Sequence, residues 1–165
     1  MIRHYFRTAL TLFTIIIALD ARAQSTEYEL AQLVNERRQL MFDLQGAYWV
    51  LLDVRNGKSS DFEAAAAAAR NMGAIIEQFS ALMHPGTARG EAPGTRAKQE
   101  VWSESDEFAA AVAAFREQVT HFAETAARRN LDEYKAEFET FTTACTSCHG
   151  FRPTSGGRFR YAKDE

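Results

Sequence analysis

The chain has 165 residues and a formal net charge of −3. Its length fits one domain, and the mildly acidic balance argues against nucleic acid and anionic lipid as main partners. It contains only 2 cysteines, and both fall in a single motif near the C-terminus.

The N-terminus reads as a secretory signal peptide. Arg3, His4 and Arg7 form a basic head, Ala9 to Leu19 is a short apolar stretch, and Ala21-Arg22-Ala23 is an A-x-A cleavage site. The stretch is too short for a confident membrane span, although an uncleaved anchor is the alternative. Cleavage is expected to leave a mature chain starting at Gln24, with residues 1–23 removed. Losing Arg3, Arg7, Arg22 and Asp20 takes the charge from −3 to −5.

The remainder predicts four helices. The first is expected to begin at Thr26, with Glu29 completing a capping box. Its apolar stripe is Leu30, Val34, Met41, Leu44, Tyr48 and Leu51. Arg55-Asn56-Gly57 ends it, Gly57 serving as a left-handed cap. Ser60-Asp61-Phe62-Glu63 is a second capping box, opening a helix that runs through six alanines, Ala64 to Ala69, to about Met83. An alanine run of this kind lets two helices approach closely. Residues 85–99 hold Pro85, Pro93, Gly86, Gly90 and Gly94, and form one long irregular connection. Such a loop either carries function or only crosses one end of the bundle. The third helix is expected from near Ser103 to about Arg129, with Phe108, Val112, Phe115, Val119 and Phe122 as its stripe. Asn130-Leu131-Asp132-Glu133 caps the fourth, along which Leu131, Tyr134, Phe138 and Phe141 share one side. Pro153 and Gly156-Gly157 are expected to end the order, leaving 153–165 as a flexible tail.

That fourth helix leads into Cys145-Thr146-Ser147-Cys148-His149. Two cysteines two residues apart, followed at once by histidine, form the attachment sequence for a c-type haem. Each thiolate adds to one vinyl group, and the histidine reaches the iron as proximal ligand. On a helix these positions stand at i, i+3 and i+4, so all three project from one face. A thioredoxin-like reading would need alternating strands and helices with the motif at a helix start. A structural zinc site would want a second Cys or His pair, whereas His84 and His121 are isolated. A disulfide here would close too small a loop to restrain much chain. Covalent haem is typically attached on the exported side of a bacterial inner membrane, so leader and motif agree on a periplasmic location. Taken together, residues 24–152 predict an all-α, antiparallel four-helix bundle with one covalently bound haem c near its C-terminal end.

A leader, four helices, a long loop after the second and a C-terminal Cys-x-x-Cys-His resemble cytochrome c′ and its low-spin methionine-ligated relatives. The resemblance rests on Arg38-Gln39 followed by Gly46, on Gly94-Thr95-Arg96-Ala97-Lys98-Gln99-Glu100-Val101-Trp102, and on Ala144-Cys145-Thr146-Ser147-Cys148-His149. It implies that Arg38 and Gln39 lie at the haem edge, with Arg38 pairing a propionate, and that Glu100 and Trp102 lie near the haem. It also implies a basic residue beside the proximal histidine. Here only Gly150 precedes Phe151-Arg152, and Pro153 follows, one residue shorter than the family's usual spacing. Arg152 therefore reaches that place only through a shortened, proline-ended turn.

Function turns on the sixth iron position, which the resemblance assigns to the residue four after the helix-one arginine. Counting from Arg38 gives Phe42, which also puts Gly46 in the family's register. Counting from Arg37 gives Met41, which the apolar stripe favours. Phe42 is the preferred reading: a phenyl ring supplies no ligand atom, so the iron binds small gases such as nitric oxide and carbon monoxide. Met41 as sixth ligand would instead make a six-coordinate electron carrier. Redox partners in the periplasm and small gases are the expected partners, and the resemblance allows a homodimer through the first two helices. A haem peroxidase is disfavoured, because no distal His–Arg pair is evident in helix one and His84 and His121 do not fall at matching positions.

Overall fold

The computed structural model describes the backbone of residues 2–150 and 156–162, and side chains from Thr26 onward within those ranges. Five helices follow in order: α1 (Ile2–Arg55), α2 (Phe62–Ala81), the short α3 (Glu100–Ser103), α4 (Ser105–Ala127) and α5 (Leu131–His149). With α3 and α4 counted as one interrupted rod, they make the expected antiparallel four-helix bundle. Among the described residues, no helix is long and apolar enough to cross a membrane.

Helix ends follow local chemistry. Gly57 adopts φ 71°, and its amide bonds to Val54 O at 3.0 Å while Lys58 N bonds to Asp53 O at 2.9 Å, which closes α1 as a left-handed cap. At α2 the cap is Asp61, whose Oδ1 accepts from Ala64 N at 2.9 Å. The expected Ser60 box is thus displaced by one residue, because Asp is an equally good cap and sits one step nearer the apolar run. The box expected at Thr26 is not formed either: α1 passes straight through Thr26, and a cap is needed only where the preceding residues leave the helix. At α5, Asn130 Oδ1 accepts from Asp132 N at 3.0 Å and Glu133 N at 3.2 Å, and its amide donates back to Glu133 Oε1 at 3.0 Å. Asn130→Ala is expected to cost about 1 kcal/mol of stability, measurable by urea unfolding.

The main core lies between α1, α2, α4 and the first half of α5. Leu51, Met72, Phe122, Tyr134 and Phe141 are fully buried there. Phe122 meets Tyr134 edge-on at 4.8 Å, and Phe138 and Phe141 complete a ring cluster with Tyr48. Aromatic pairs of this kind contribute about 0.5–1.5 kcal/mol each beyond their area. Tyr134 brings a hydroxyl into this apolar centre and satisfies it by donating to Leu51 O at 2.9 Å. The alanine run behaves as its composition suggests: Ala65, Ala66 and Ala69 are buried in the same cluster.

Two segments depart from expectation. The third helix starts at Glu100 rather than Ser103 and breaks at Glu104, whose φ −121° and ψ 50° leave the helical region. The tail does not stay loose over residues 156–162. Ala97 and Arg160 form an antiparallel bridge, Lys98 N bonds to Phe159 O at 3.0 Å, and Tyr161 N bonds to Arg96 O at 2.9 Å. Phe159 is 4% exposed and meets Phe108 edge-on at 5.3 Å. One large aromatic with a place in the core is enough to anchor a short segment that composition alone marks as polar.

Candidate haem site

The last turn of α5 carries Cys145, Cys148 and His149, with Gly150 as C-cap at φ 76°, donating to Thr146 O at 2.8 Å. The two thiols are free, and they look into different parts of the molecule. Cys145 packs against the main core with Leu44 and Tyr48. Cys148 packs against a second cluster formed by Val101, Phe108 and Phe159 with Met83 and Trp102 around it. Tyr134 bonding to Leu51 and Phe141 stacking on Tyr48 fix α5 antiparallel to α1.

The electrostatics of the two thiols are not those of a redox dithiol. Burial, and then the neighbouring Cys148, push the Cys145 thiol up to about 11, and burial also raises Cys148. Reactive dithiols instead have depressed values at a helix N-terminus, and these lie at a C-terminus, where the helix dipole disfavours a thiolate. Burial, with Arg160 and Arg96 nearby, pushes His149 down to about 4. The imidazole is therefore neutral at physiological pH and keeps a lone pair for a metal. A zinc reading finds no support in its surroundings: among the described residues, no cluster of three or more His, Cys, Asp or Glu side chains could hold a metal ion. Two thiols a helical turn apart with an adjacent neutral imidazole fit the thioether and axial bonds of haem c.

Around this turn the structure sorts the other sequence candidates. Trp102 is half-buried, shares the second cluster with Cys148, and donates from Nε1 to Met83 O at 3.3 Å. Glu100 is half-buried at the start of α3. Gln39 is exposed and donates to Asp43 Oδ1 at 2.9 Å along its own helix. Arg38 is exposed, and its Nη1 lies 3.5 Å from where a Cβ on Gly94 would stand. Met41 is half-buried on the inward stripe, and Phe42 is 59% exposed. Arg152 lies outside the described residues.

Three residues were given no role at the site from sequence. Arg37, not Arg38, is the buried member of the doublet, 4% exposed. It donates to Met83 Sδ at 2.9 Å, Thr87 Oγ1 at 3.0 Å and Thr87 O at 3.2 Å, and so ties α1 to the long loop. Its place three after Val34 and four before Met41 was the available signal. Arg96 and Arg160 are the other two, brought to His149 by the loop and the tail, and no periodicity marks either.

Comparison with known proteins agrees with this geometry. Among solved structures the chain resembles cytochrome c′ from Rhodobacter spheriodes, at 26% identity and a TM-score of 0.68 over 80% of this chain and 97% of that one. A nitric oxide complex of a mutant cytochrome c′ from Alcaligenes xylosoxidans matches at 21% identity and a TM-score of 0.66, over 81% of this chain and 97% of that one. A carbon-monoxide-bound variant of the same protein matches at 21% and 0.63, over 78% and 94%. No curated protein matched significantly by sequence. The family described as cytochrome c′ matches residues 32–152, more than half of the chain and inclusive of the Cys145–His149 motif. This protein therefore belongs to the cytochrome c′ family of covalent haem c proteins.

Proposed function

We propose that this chain is an exported, periplasmic cytochrome c′ that cycles between ferric and ferrous states and binds small gases on an open distal side. Cys145 and Cys148 hold the haem, His149 is the proximal ligand, and Phe42 faces the other side. The observation that supports this reading is the attachment turn itself, with Cys145, Cys148 and His149 at the end of α5, in a chain of the cytochrome c′ family. Phe42 at 59% exposure gains burial when a flat apolar group lies against it. Its ring offers no ligand atom and no hydrogen-bond donor. Such a pocket disfavours dioxygen, whose bound form is polar, and accepts nitric oxide or carbon monoxide, the gases carried by the Alcaligenes structures. Arg38 and Gln39 on the same stretch of helix and Glu100 and Trp102 from α3 are assigned to the haem surroundings, with Arg38 on a propionate.

A second reading keeps Met41 as sixth ligand, since its side chain lies half-buried on the inward stripe. It gives a six-coordinate electron carrier with a raised potential. Among the described residues, neither His84 nor His121 is placed for peroxidase chemistry. His121 is engaged by Glu137 at 3.0 Å, three helical turns back along α5 from His149, and His84 is exposed.

The test is the absorption and EPR spectrum of exported holoprotein in both oxidation states, with carbon monoxide added to the reduced form. High-spin iron that takes up the gas is expected. A low-spin spectrum that resists carbon monoxide, converted to high-spin by Met41→Leu, would put Met41 on the iron. The same preparation's intact mass should correspond to a chain beginning at Gln24 plus one haem.

A further inference from the structure

Residues 156–162 lie beyond the stretch that matches the family, which ends at 152, yet they fold back as a strap onto the attachment turn. A Cβ on Gly157 would fall 2.7 Å from the carbonyl carbon of His149, so only glycine fits there. From Gly157 the chain runs antiparallel to residues 96–98, with Lys98 N on Phe159 O at 3.0 Å and Tyr161 N on Arg96 O at 2.9 Å. Ala97 and the buried Phe159 belong to the cluster that also holds Cys148 and Trp102, so this pairing packs directly on the attachment site. Its solvent side is basic. The Arg89 guanidinium lies 4.8 Å and the Lys98 ammonium 5.0 Å from the centroid of the same Tyr161 ring, which attracts both. Nearby carboxylates are already engaged. Glu91 accepts from the Gln99 amide at 2.8 Å and from Ala88 N at 3.2 Å, and Glu104 and Glu107 pair with Arg158 at 2.7 and 3.8 Å. Elsewhere Arg55, Arg116, Arg128 and Arg129 each meet a carboxylate. Among the described residues, Arg89, Arg96 and Lys98 meet none within ion-pair distance.

We propose that this face, centred on Arg89 and Lys98 over Tyr161, is where an acidic one-electron transfer protein docks. The inference rests on the proposed reading that the haem cycles between ferric and ferrous states. The whole chain is net acidic at −3, so a basic face on it turns an acidic partner towards that side during approach. Two like charges held on one ring with no counter-ion repel each other, and a partner carboxylate between them relieves the repulsion. Tyr161, half-buried, supplies the aromatic surface that interface centres favour. An extended anionic bilayer would also face the acidic remainder of the chain, whereas a small protein meets this face alone. A partner seated here lies against the segments that pack on Cys148, one of the two residues assigned to hold the haem. One electron then leaves the partner's reduced centre and converts ferric to ferrous haem, with no atom or proton transferred.

The experiment follows reduction of exported ferric holoprotein by a small acidic iron–sulfur ferredoxin and, separately, by neutral lumiflavin semiquinone. The variants are Arg89→Gln with Lys98→Gln, Arg89→Lys with Lys98→Arg, and Lys135→Gln, an exposed position near the start of α5 and at the far end of that helix from His149. At low ionic strength the double glutamine variant should react with the ferredoxin about tenfold more slowly than wild type and lose most of its salt dependence. The charge-retaining variant and Lys135→Gln should keep the wild-type rate, and all three should carry normal haem and react equally with lumiflavin. Backbone amide shifts on titrating an oligo-aspartate peptide should map to Arg89, Lys98 and Tyr161 in the wild-type holoprotein and vanish in the double glutamine variant. An unchanged ferredoxin rate in the double glutamine variant, an equal loss in Lys135→Gln, or peptide shifts that map elsewhere would overturn the proposal while leaving the haem assignment intact. So would binding of this face to phosphatidylglycerol vesicles in preference to the ferredoxin. A wild-type holoprotein that neither donor reduces would instead overturn the redox reading, and the docking role with it.

Discussion

Replacing Cys145 and Cys148 together with alanine is expected to abolish covalent haem. Acid–organic extraction should leave the porphyrin on the wild-type chain and strip it fully from the double variant. Each single variant should keep one thioether and shift the reduced absorption band, since one vinyl group then stays unsaturated. The two sites differ in what else they support. Cys145 sits against the main core with Leu44 and Tyr48, and Cys148 belongs to the smaller cluster with Val101, Phe108 and Phe159. Removing one sulfur from a packed site costs on the order of 1 kcal/mol, so loss of the cofactor, not loss of packing, should dominate both phenotypes. His149→Ala is the companion variant: haem should remain attached through both sulfurs while the iron loses its protein ligand. Retention of normal haem in the double alanine variant would remove the basis for placing the cofactor on α5.

Periodicity made most of the bundle legible before any coordinates. Stripes such as Phe108–Phe115–Phe122 and Tyr134–Phe138–Phe141 recur at helical spacing because each must bury one face, and the structure buries all six. Asn130 and Gly57 announced their caps because few residues perform those backbone tasks. The Cys-x-x-Cys-His motif was legible because its chemistry fixes both residue types and spacing. The strap was not, because a segment of seven residues has no period to read. Gly157 resembles any loop glycine until the backbone of Cys148–Gly150 is seen to occupy the space of a side chain. The helix-one register was ambiguous for a geometric reason: neighbouring residues on a helix point about 100° apart. A doubled arginine therefore admits two faces, and with them either Met41 or Phe42. The structure puts Arg37 inside and Arg38 outside. That settles which arginine the protein buries.

The buried arginine carries the second large expectation. Arg37 is 4% exposed, and among the described residues no carboxylate pairs with it; burial alone lowers its ordinarily very high pKa. A guanidinium so placed must satisfy its donors on neutral acceptors. It does so on Met83 Sδ, Thr87 Oγ1 and Thr87 O, with Thr95 Oγ1 at 3.4 Å, while the Thr87 hydroxyl donates to His84 O at 2.6 Å. One side chain thereby fixes both limbs of the long loop to α1, and the loop leads into α3, where Trp102 shares a cluster with Cys148. Arg37→Ala removes the bonds and leaves a cavity, and should destabilise the holoprotein by roughly 2–4 kcal/mol. Arg37→Met refills the volume and relieves the buried charge but still strands Thr87 O, so its cost should fall to about 1–2 kcal/mol. Arg38→Ala, on the exposed side, should stay within about 0.5 kcal/mol. The order Arg37→Ala, Arg37→Met, Arg38→Ala in urea unfolding is the test, and an inverted order between positions 37 and 38 would mean that helix one is rotated from the orientation described, carrying Met41 and Phe42 with it.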